Sequence, residues 1–225
     1  ALTVMAQAKR ICRYLHIPAQ SGSDRLLRLM NRGYTAQEYL DLVSRARQKM
    51  PDISIAGDMI VGFPSETEAD HQASLRLIEQ ARYKNLFVFK YSPRSGTLAE
   101  KRYPDDVPEL VKRQRNLDLL EAQAKISRRH HESLIGQTFE VLVESESQLR
   151  SQLSEPTDLV QIKRSHQGKT RLLGRTRGDE IVAFDGAKTW IGKLQEVRIQ
   201  QVTHLTLLGE AMVPSINDRT ASGSA

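Results

Sequence analysis

The chain has 225 residues, of which 39% are hydrophobic, and carries a formal net charge of +6. This length suffices for one large domain or two smaller ones with packed cores. No apolar run approaches the roughly 18 residues of a membrane span, and no secretory signal is visible, so we expect a soluble cytoplasmic protein. Cys12 is the single cysteine. It excludes an intramolecular disulfide, and alone it cannot hold a zinc ion or an iron–sulfur cluster.

The first part of the chain alternates strand and helix patterns. Residues 13–18, RYLHIP, are strand-like, and a short helix pattern follows from Asp24 to Met30. Thr35 to Glu38, TAQE, has the spacing of a capping box and predicts a helix through about Lys49. The mostly apolar stretch from Ile53 to Phe63 predicts a strand that is buried on both faces.

The same alternation continues beyond this strand. Ser65 to Glu68, SETE, is expected to form a second capping box, and residues 85–92, NLFVFKYS, predict a third strand. A long helix is expected from Pro108 to Ser133, with Asp106 as a candidate cap. Its predicted apolar stripe consists of Leu110, Leu117, Leu120 and Ala124. Three strand–helix units predict part of an α/β barrel, because three are too few to close one.

After residue 134 the pattern changes to short segments of alternating polarity. Residues 137–144, QTFEVLVE, are the first, and four more follow up to residue 212 with Gly and Asp turns between them. Five short strands of this kind predict a small all-β barrel of the OB or SH3 type, built from antiparallel strands. We place this barrel at residues 135–213 and predict that residues 214–225 form a disordered tail.

A run of positive charge lies within the second part. Between Asp158 and Asp179 there is no acidic residue. The basic residues of this interval are Lys163, Arg164, Lys169, Arg171, Arg175 and Arg177. Such a run is either a solvated face or a contact with a nucleic-acid backbone, and charge alone favours the solvated face.

Polar residues follow all three predicted strands of the first part. In parallel α/β sheets, ligands bind at the carboxyl ends of the strands. Glycines there allow a close approach of the backbone, and hydroxyl and N–H groups suit a ribose, carboxylate or phosphate. Any one of these segments is also compatible with an ordinary turn, but three on one edge predict a site. The segments are residues 20–23 (QSGS), 57–58 with 62–67 (GD and GFPSET), and 91–97 (YSPRSGT).

Two polar positions inside predicted elements need an explanation. Asp58 interrupts an apolar strand, so its carboxylate requires a partner, which is either a ligand or an arginine. Residues 128–132, RRHHE, place His130 and His131 next to each other on a helix, where they point apart. They predict a solvated helix end rather than a metal site. Phosphate-loop, zinc-protease and nucleophile-elbow motifs are absent from the sequence.

Several stretches, taken together and in this order, resemble the radical S-adenosylmethionine (radical SAM) methylthiotransferases, and most closely the MiaB type that modifies tRNA. They span residues 11–212. The stretches are YLHIPAQSGSDRLLRLMNRGYTAQEY, DMIVGFPSETEAD, YSPRSGTLA with VPELVKRQR, and LIGQTFEVLVE with LLGRTRGDEIVAF. The resemblance implies the later part of a radical SAM barrel at 1–134 and a TRAM domain, which binds RNA, at 135–213.

The family's chemistry is implied in the same way. Its members use S-adenosylmethionine and two [4Fe–4S] clusters, and the MiaB type adds a methylthio group to C2 of N6-isopentenyladenosine next to the tRNA anticodon. The family's Cys-x-x-x-Cys-x-x-Cys motif is absent here, so we expect a C-terminal portion that does not react alone. Alternatives are a cluster-free RNA-binding module, or a methylthiotransferase for a ribosomal protein or threonylcarbamoyladenosine.

Two sets of site residues follow from the resemblance and the strand-end pattern. We expect the first set to hold the polar groups of S-adenosylmethionine. The second set is expected to contact the substrate or the anticodon stem-loop of tRNA, because guanidinium and ammonium groups bind phosphates. No catalytic residue or metal ligand is predicted in this chain. The first set is Gln20, Ser21, Gly22, Ser23, Asp58 and Gly62, and the second is Arg94, Lys169, Arg171, Arg175 and Arg177.

Overall fold

The computed structural model describes residues 1–147, 170–203 and 205–212. The chain divides into two compact units, residues 1–130 and the residues from 131 onward. The first contains a three-stranded parallel sheet with helices, and the second a closed five-stranded barrel, which confirms the predicted fold class. Three members of the basic run and the predicted tail at 214–225 lie outside the described residues. These three members are Lys163, Arg164 and Lys169.

The predicted strands and helices occur in the predicted order, and the short helix at residues 98–102 is an addition to them. The elements of the first part are α1 (Leu2–Gln7), β1 (Tyr14–His16), α2 (Asp24–Leu29), α3 (Ala36–Lys49), β2 (Ser54–Val61), α4 (Glu68–Ala81), β3 (Asn85–Lys90), α5 (Leu98–Arg102) and α6 (Glu109–Ser133). Those of the barrel are β4 (Thr138–Glu146), β5 (Thr170–Thr176), β6 (Ile181–Gly186), β7 (Leu194–Val202) and β8 (Leu207–Ala211). Within the described residues, no helix is long and apolar enough to cross a membrane.

The first unit is organised around its parallel sheet, in the order β1–β2–β3. One face packs against the helices and buries Ile55, Met59 and Val61 of β2. Asp58 lies opposite Phe87 in the register between β2 and β3, and both belong to the other face. That face, called the open face below, leaves Phe87 48% exposed.

The two capping boxes have different outcomes. Thr35 and Glu38 form the predicted box at the start of α3. The second box is formed by Thr67 and Asp70, so the prediction of Ser65 and Glu68 is wrong by two residues. Ser65 has a φ of +63°, which is left-handed, whereas an N-cap residue needs extended backbone.

Helix α6 begins at Glu109, one residue after the predicted Pro108, and ends at Ser133 as predicted, but its apolar stripe does not face the core. Leu110 is 77% exposed and Leu117 60% exposed. The buried positions include Leu119 together with Lys112 and Arg115. The prediction failed because charged side chains occupy the inward face of α6, where they have partners in the protein.

The second unit forms a barrel in the order β4–β5–β6–β8–β7, which closes on itself. Its interior is filled by alternating residues such as Val141 and Val143 of β4 and Val197 and Ile199 of β7. Strands β6 and β8 are parallel, so the expectation of purely antiparallel strands is wrong. A ring with an odd number of strands cannot alternate direction throughout, and closure therefore requires one parallel pair.

His131 is not part of a solvated helix end. It is 7% exposed, and its Nε2 lies 3.3 Å from a carboxylate oxygen of Glu180. Its Nδ1 lies 3.3 Å from the carbonyl oxygen of Thr203. The buried imidazole is therefore held by polar partners within the second unit, as a buried polar group requires.

Candidate functional site

Gln20 continues the line of β1 along β2. Its N–H donates to the carbonyl of Asp58, and its own carbonyl accepts from the N–H of Ile60, each at 2.8 Å. Its φ of +69° turns the chain sharply at this point. The carboxamide side chain forms no hydrogen bond with another described residue, so Gln20 retains donor and acceptor groups for a ligand.

The next three residues of the QSGS segment serve the packing of the protein. The Ser21 hydroxyl accepts the N–H of Ser23 at 3.1 Å. Gly22 donates to the Ser74 hydroxyl at 3.0 Å, and a Cβ on Gly22 would lie 2.3 Å from the carbonyl oxygen of Ala73. The Ser23 hydroxyl donates to Asp70 at 2.5 Å. The glycine thus permits the close approach of helix α4.

Asp70 is the centre of this contact. Its carboxylate accepts hydrogen bonds from Ser23, from Arg25 at 2.5 Å, and from the hydroxyl and N–H of Thr67 at 2.6 and 2.8 Å. Burial, the largest single influence, would raise the pKa of Asp70. The hydrogen bonds from Arg25, Ser23 and Thr67 together outweigh it and hold the pKa well below its ordinary value.

The turn after β2 is held by a buried ion pair. Gly62 has a φ of +71° and donates its N–H to the carboxylate of Glu66 at 2.5 Å. The Glu66 side chain is fully buried, and Nη1 of Arg115 lies 2.9 Å from the same carboxylate oxygen. Burial raises the pKa of Glu66 above its ordinary value, although Gly62 and Arg115 oppose the shift.

Lys112 holds the adjacent strand end. Its Nζ donates to Asp105 at 2.5 Å and to the carbonyl of Tyr91 at 3.3 Å. A Cβ on Gly62 would lie 2.3 Å from the Lys112 stem, so this glycine accommodates a protein side chain. Sequence reasoning missed Lys112 and Arg115. One local indication of their role was present in the sequence, which is that these two basic residues lie three apart and so share one face of a helix.

Asp58 and His16 form the polar part of the open face. Nε2 of His16 lies 2.7 Å from the Asp58 carboxylate. The protein partner of Asp58 is therefore His16, whereas the sequence had suggested either a ligand or an arginine. The His16 ring stacks on Phe87, with ring centroids 5.8 Å apart and planes 28° apart.

The predicted RNA-binding residues differ in their pairing. Arg94 is exposed in the loop after β3, and its guanidinium forms no hydrogen bond or ion pair with any residue that the structure describes. Arg171 pairs with Asp185 at 3.1 Å. Arg175 pairs with Asp179 and Glu144, and Asp179 raises the pKa of its guanidinium. Arg177 also has a partner, and Lys169 lies outside the described residues.

The chain does not supply a set of cluster ligands. Cys12, the single cysteine, is exposed. Among the described residues, no group of three or more His, Cys, Asp or Glu side chains is arranged to hold a metal ion. A radical SAM [4Fe–4S] cluster needs thiolates from the protein, so these residues do not fit that group.

Comparison with known proteins agrees with the two units. Residues 1–78 match the family model of the radical SAM superfamily, and residues 159–212 match that of the TRAM domain. The chain is 42% identical over 212 residues to a tRNA-2-methylthio-N(6)-dimethylallyladenosine synthase of Porphyromonas gingivalis. The alignment covers 94% of the chain and 42% of that relative. The chain belongs to the radical SAM methylthiotransferase family.

Other methylthiotransferase relatives give the same picture. The chain is 41% identical over 208 residues to the synthase of that name from Rhodopirellula baltica, covering 92% of the chain and 41% of the relative. The chain is 40% identical over 205 residues to the synthase of that name from Acetivibrio thermocellus. That alignment covers 91% of the chain and 39% of the relative. The chain thus spans about two fifths of the length of these curated relatives.

Proposed function

We propose that these 225 residues contribute to a cytoplasmic tRNA methylthiotransferase, which adds a methylthio group to C2 of N6-dimethylallyladenosine next to the anticodon. The observation that carries the proposal is the identity of about 41% to relatives of that name, which extends through both units. The iron–sulfur clusters are assigned to cysteines outside these residues.

The proposed cofactor is S-adenosylmethionine, which when bound supplies the methyl group and the adenosyl fragment used for hydrogen abstraction. Within the predicted set, the buried Gln20 carboxamide has no hydrogen-bond partner among the described residues, and the Asp58 carboxylate lies on the open face beside His16. We assign these two side chains to the cofactor's polar groups. Ser21, Gly22, Ser23 and Gly62 would act by shaping the strand ends. Support comes from the uncommitted Gln20 carboxamide beside β2.

The proposal predicts a specific change in tRNA. Deletion of the gene that encodes this chain should abolish 2-methylthio-N6-dimethylallyladenosine in total tRNA, with a matching increase in N6-dimethylallyladenosine. Mass spectrometry of digested tRNA measures both nucleosides. The complete gene should restore the first, and a copy with its cluster cysteines replaced by alanine should not.

The alternative substrates give different results in the same experiment. If the chain belongs to an enzyme for threonylcarbamoyladenosine, that nucleoside loses its methylthio group instead. A ribosomal-protein enzyme, or a cluster-free RNA-binding module, would leave both methylthiolated nucleosides at wild-type levels. Either of these two results contradicts the proposed substrate.

A second prediction concerns the contact with RNA. We expect Arg94→Gln to reduce the affinity of the chain for an anticodon stem-loop several-fold and to lower the slope of log K against log salt by about 1. The reason is that Arg94 is exposed and is not paired with a described carboxylate. Filter binding over a range of salt concentrations gives the slope.

The matched control for this prediction is Arg45→Gln, which removes the same charge from an exposed position on α3. It should leave the slope unchanged. If the slope of log K against log salt is the same for Arg94→Gln and the unsubstituted chain, Arg94 does not contact the RNA. Arg171→Gln should have a smaller effect than Arg94→Gln, because the cation is already balanced by Asp185.

A further inference from the structure

Three buried side chains, near the start of α4 and on the inward face of α6, each retain one polar atom without a protein partner. These atoms are Oε1 of Glu66, Nδ1 of His71 and Nε of Arg115, and none of them forms a hydrogen bond with a described residue. Glu66 is 6% exposed, His71 1% and Arg115 7%. Buried polar groups in folded proteins are hydrogen-bonded with few exceptions, so these three atoms need a partner.

The other polar atoms of the same side chains are already bonded. Oε2 of Glu66 accepts from the N–H of Gly62 at 2.5 Å and from Nη1 of Arg115 at 2.9 Å. Nε2 of His71 lies 3.1 Å from Oδ2 of Asp118. Because a carboxylate only accepts hydrogen bonds, Nε2 carries the proton, and Nδ1 of the neutral ring is then an acceptor.

The three unpartnered atoms belong to two neighbouring contacts. One contact joins Glu66 to Arg115 and the other joins His71 to Asp118. Arg115 and Asp118 are three residues apart on α6, which is about 4.5 Å along the helix axis. Burial raises the pKa of Glu66, and His71 is one of the neighbours that oppose this shift. A molecule that forms hydrogen bonds of about 2.8 Å to two groups spans about the same 4.5 Å.

The chemistry of the three atoms defines what fits between them. Nε of Arg115 donates, whereas Oε1 of Glu66 and Nδ1 of His71 accept. The ligand must therefore accept one hydrogen bond, donate two, and be small enough for a buried position. A metal ion cannot accept from the guanidinium, and a halide ion cannot donate to the carboxylate. Water meets all of these requirements.

We propose that one ordered water molecule is an integral part of the first unit at this position. It accepts from Nε of Arg115 and donates to Oε1 of Glu66 and Nδ1 of His71. Three hydrogen bonds are the usual number for a buried water. The water connects the turn at Gly62 through the imidazole to Asp118, whose side chain is 35% exposed, and it selects the tautomer of His71 that is protonated at Nε2.

NMR spectra of the ¹⁵N-labelled 225-residue chain test the proposal. Long-range ¹H–¹⁵N correlations report the protonation of each ring nitrogen, and we expect a protonated Nε2 and an unprotonated, hydrogen-bonded Nδ1 in His71. The Hε proton of Arg115 should show a cross-peak to water with opposite signs in NOE and ROE spectra. Opposite signs distinguish a buried water from surface water and from proton exchange. A high-resolution crystal structure should place a water within hydrogen-bond distance of all three atoms.

Two substitutions of His71 separate its two contacts. In His71→Asn the side-chain amide lies near the former position of Nδ1, so the cross-peak between water and Arg115 should persist although the contact with Asp118 is lost. In His71→Gln the amide lies near the former position of Nε2, so the cross-peak should weaken several-fold. The control is His130→Gln, which replaces the adjacent histidine on α6 and should leave the signals of Arg115 unchanged.

Several outcomes would overturn the inference. One is a proton on Nδ1 of His71. Another is the absence of the cross-peak between water and Arg115 in the unsubstituted chain. A third is a crystal structure in which a side chain or an ion, rather than a water, contacts the three atoms. Equal weakening of the cross-peak in His71→Asn and His71→Gln would also contradict it. The spectra of the unsubstituted chain decide the matter even if a variant does not fold.

Discussion

Replacing Arg115 with methionine is expected to lower the free energy of unfolding of the first unit by about 3–5 kcal/mol near pH 8. The guanidinium lies 2.9 Å from the fully buried carboxylate of Glu66, and methionine would leave that charge without its partner. Urea unfolding followed by circular dichroism at 222 nm reports the helices, most of which belong to the first unit. Fluorescence of Trp190, the single tryptophan, follows the barrel separately.

The stability lost on Arg115→Met should be larger at high pH than at low pH. Burial raises the pKa of Glu66 in the folded chain, and loss of Arg115 would raise it further. A carboxyl group whose pKa is raised by folding contributes its full stabilisation below the unfolded pKa of about 4.3. That contribution is lost as the pH rises through the folded pKa. Arg115→Met should therefore be less destabilising at pH 5 than at pH 8.

A double substitution identifies the cause. Glu66→Gln combined with Arg115→Met removes the buried charge and should recover most of the lost stability at pH 8. Arg45→Met, at an exposed position on α3, should change the free energy of unfolding by less than about 0.5 kcal/mol. A cost that is the same at both pH values, and that the double variant retains, would show that packing rather than charge explains the effect of Arg115→Met.

Asp70→Ala is expected to destabilise the first unit by about 3 kcal/mol, because three side chains lose a buried, charged acceptor at once. Asp70 accepts from Ser23 and Arg25, and it closes the capping box of α4 with Thr67. The same urea titration measures the effect. The control is Asp41→Ala, since Asp41 accepts one hydrogen bond from Gln37 on an exposed helix surface. It should cost less than about 1 kcal/mol.

The contribution of Asp70 should disappear in acid. Its folded pKa is lowered by the bonds from Arg25, Ser23 and Thr67, which outweigh burial. A carboxylate of this kind stabilises the fold above its unfolded pKa of about 3.9, and the gain is lost as the pH falls through the folded pKa. The stability difference between the unsubstituted chain and Asp70→Asn should shrink below about pH 4. A constant difference down to pH 2 would contradict the assigned ionisation.

These two networks connect stability with the site. Ser23 and Asp70 fix the end of β1 against α4, while Glu66 and Arg115 fix the turn at Gly62 against α6. Asp58 lies on β2, and Gln20 forms an isolated bridge with Met59 of β2 just before Ser23; both are proposed to contact the cofactor. Variants in the networks should therefore weaken ligand binding through the positions of the strand ends.

Local patterns in the sequence determined the elements and the family. The TAQE spacing placed the start of α3, the apolar run at 53–63 placed β2, and alternating polarity placed all five barrel strands. These features depend on residues at most a few positions apart, where periodicity and capping act directly. The quoted stretches also indicated the family, and the radical SAM and TRAM family models match the chain as that resemblance implies.

The tertiary structure decided which polar residues face a ligand and which face the protein. Ser23 meets Asp70 across 47 positions, Glu66 meets Arg115 across 49, and His16 meets Asp58 across 42. Local patterning does not record pairs so distant, because only packing of the elements brings them together. For the same reason the charged inward face of α6 and the open face of the sheet became visible only in the fold.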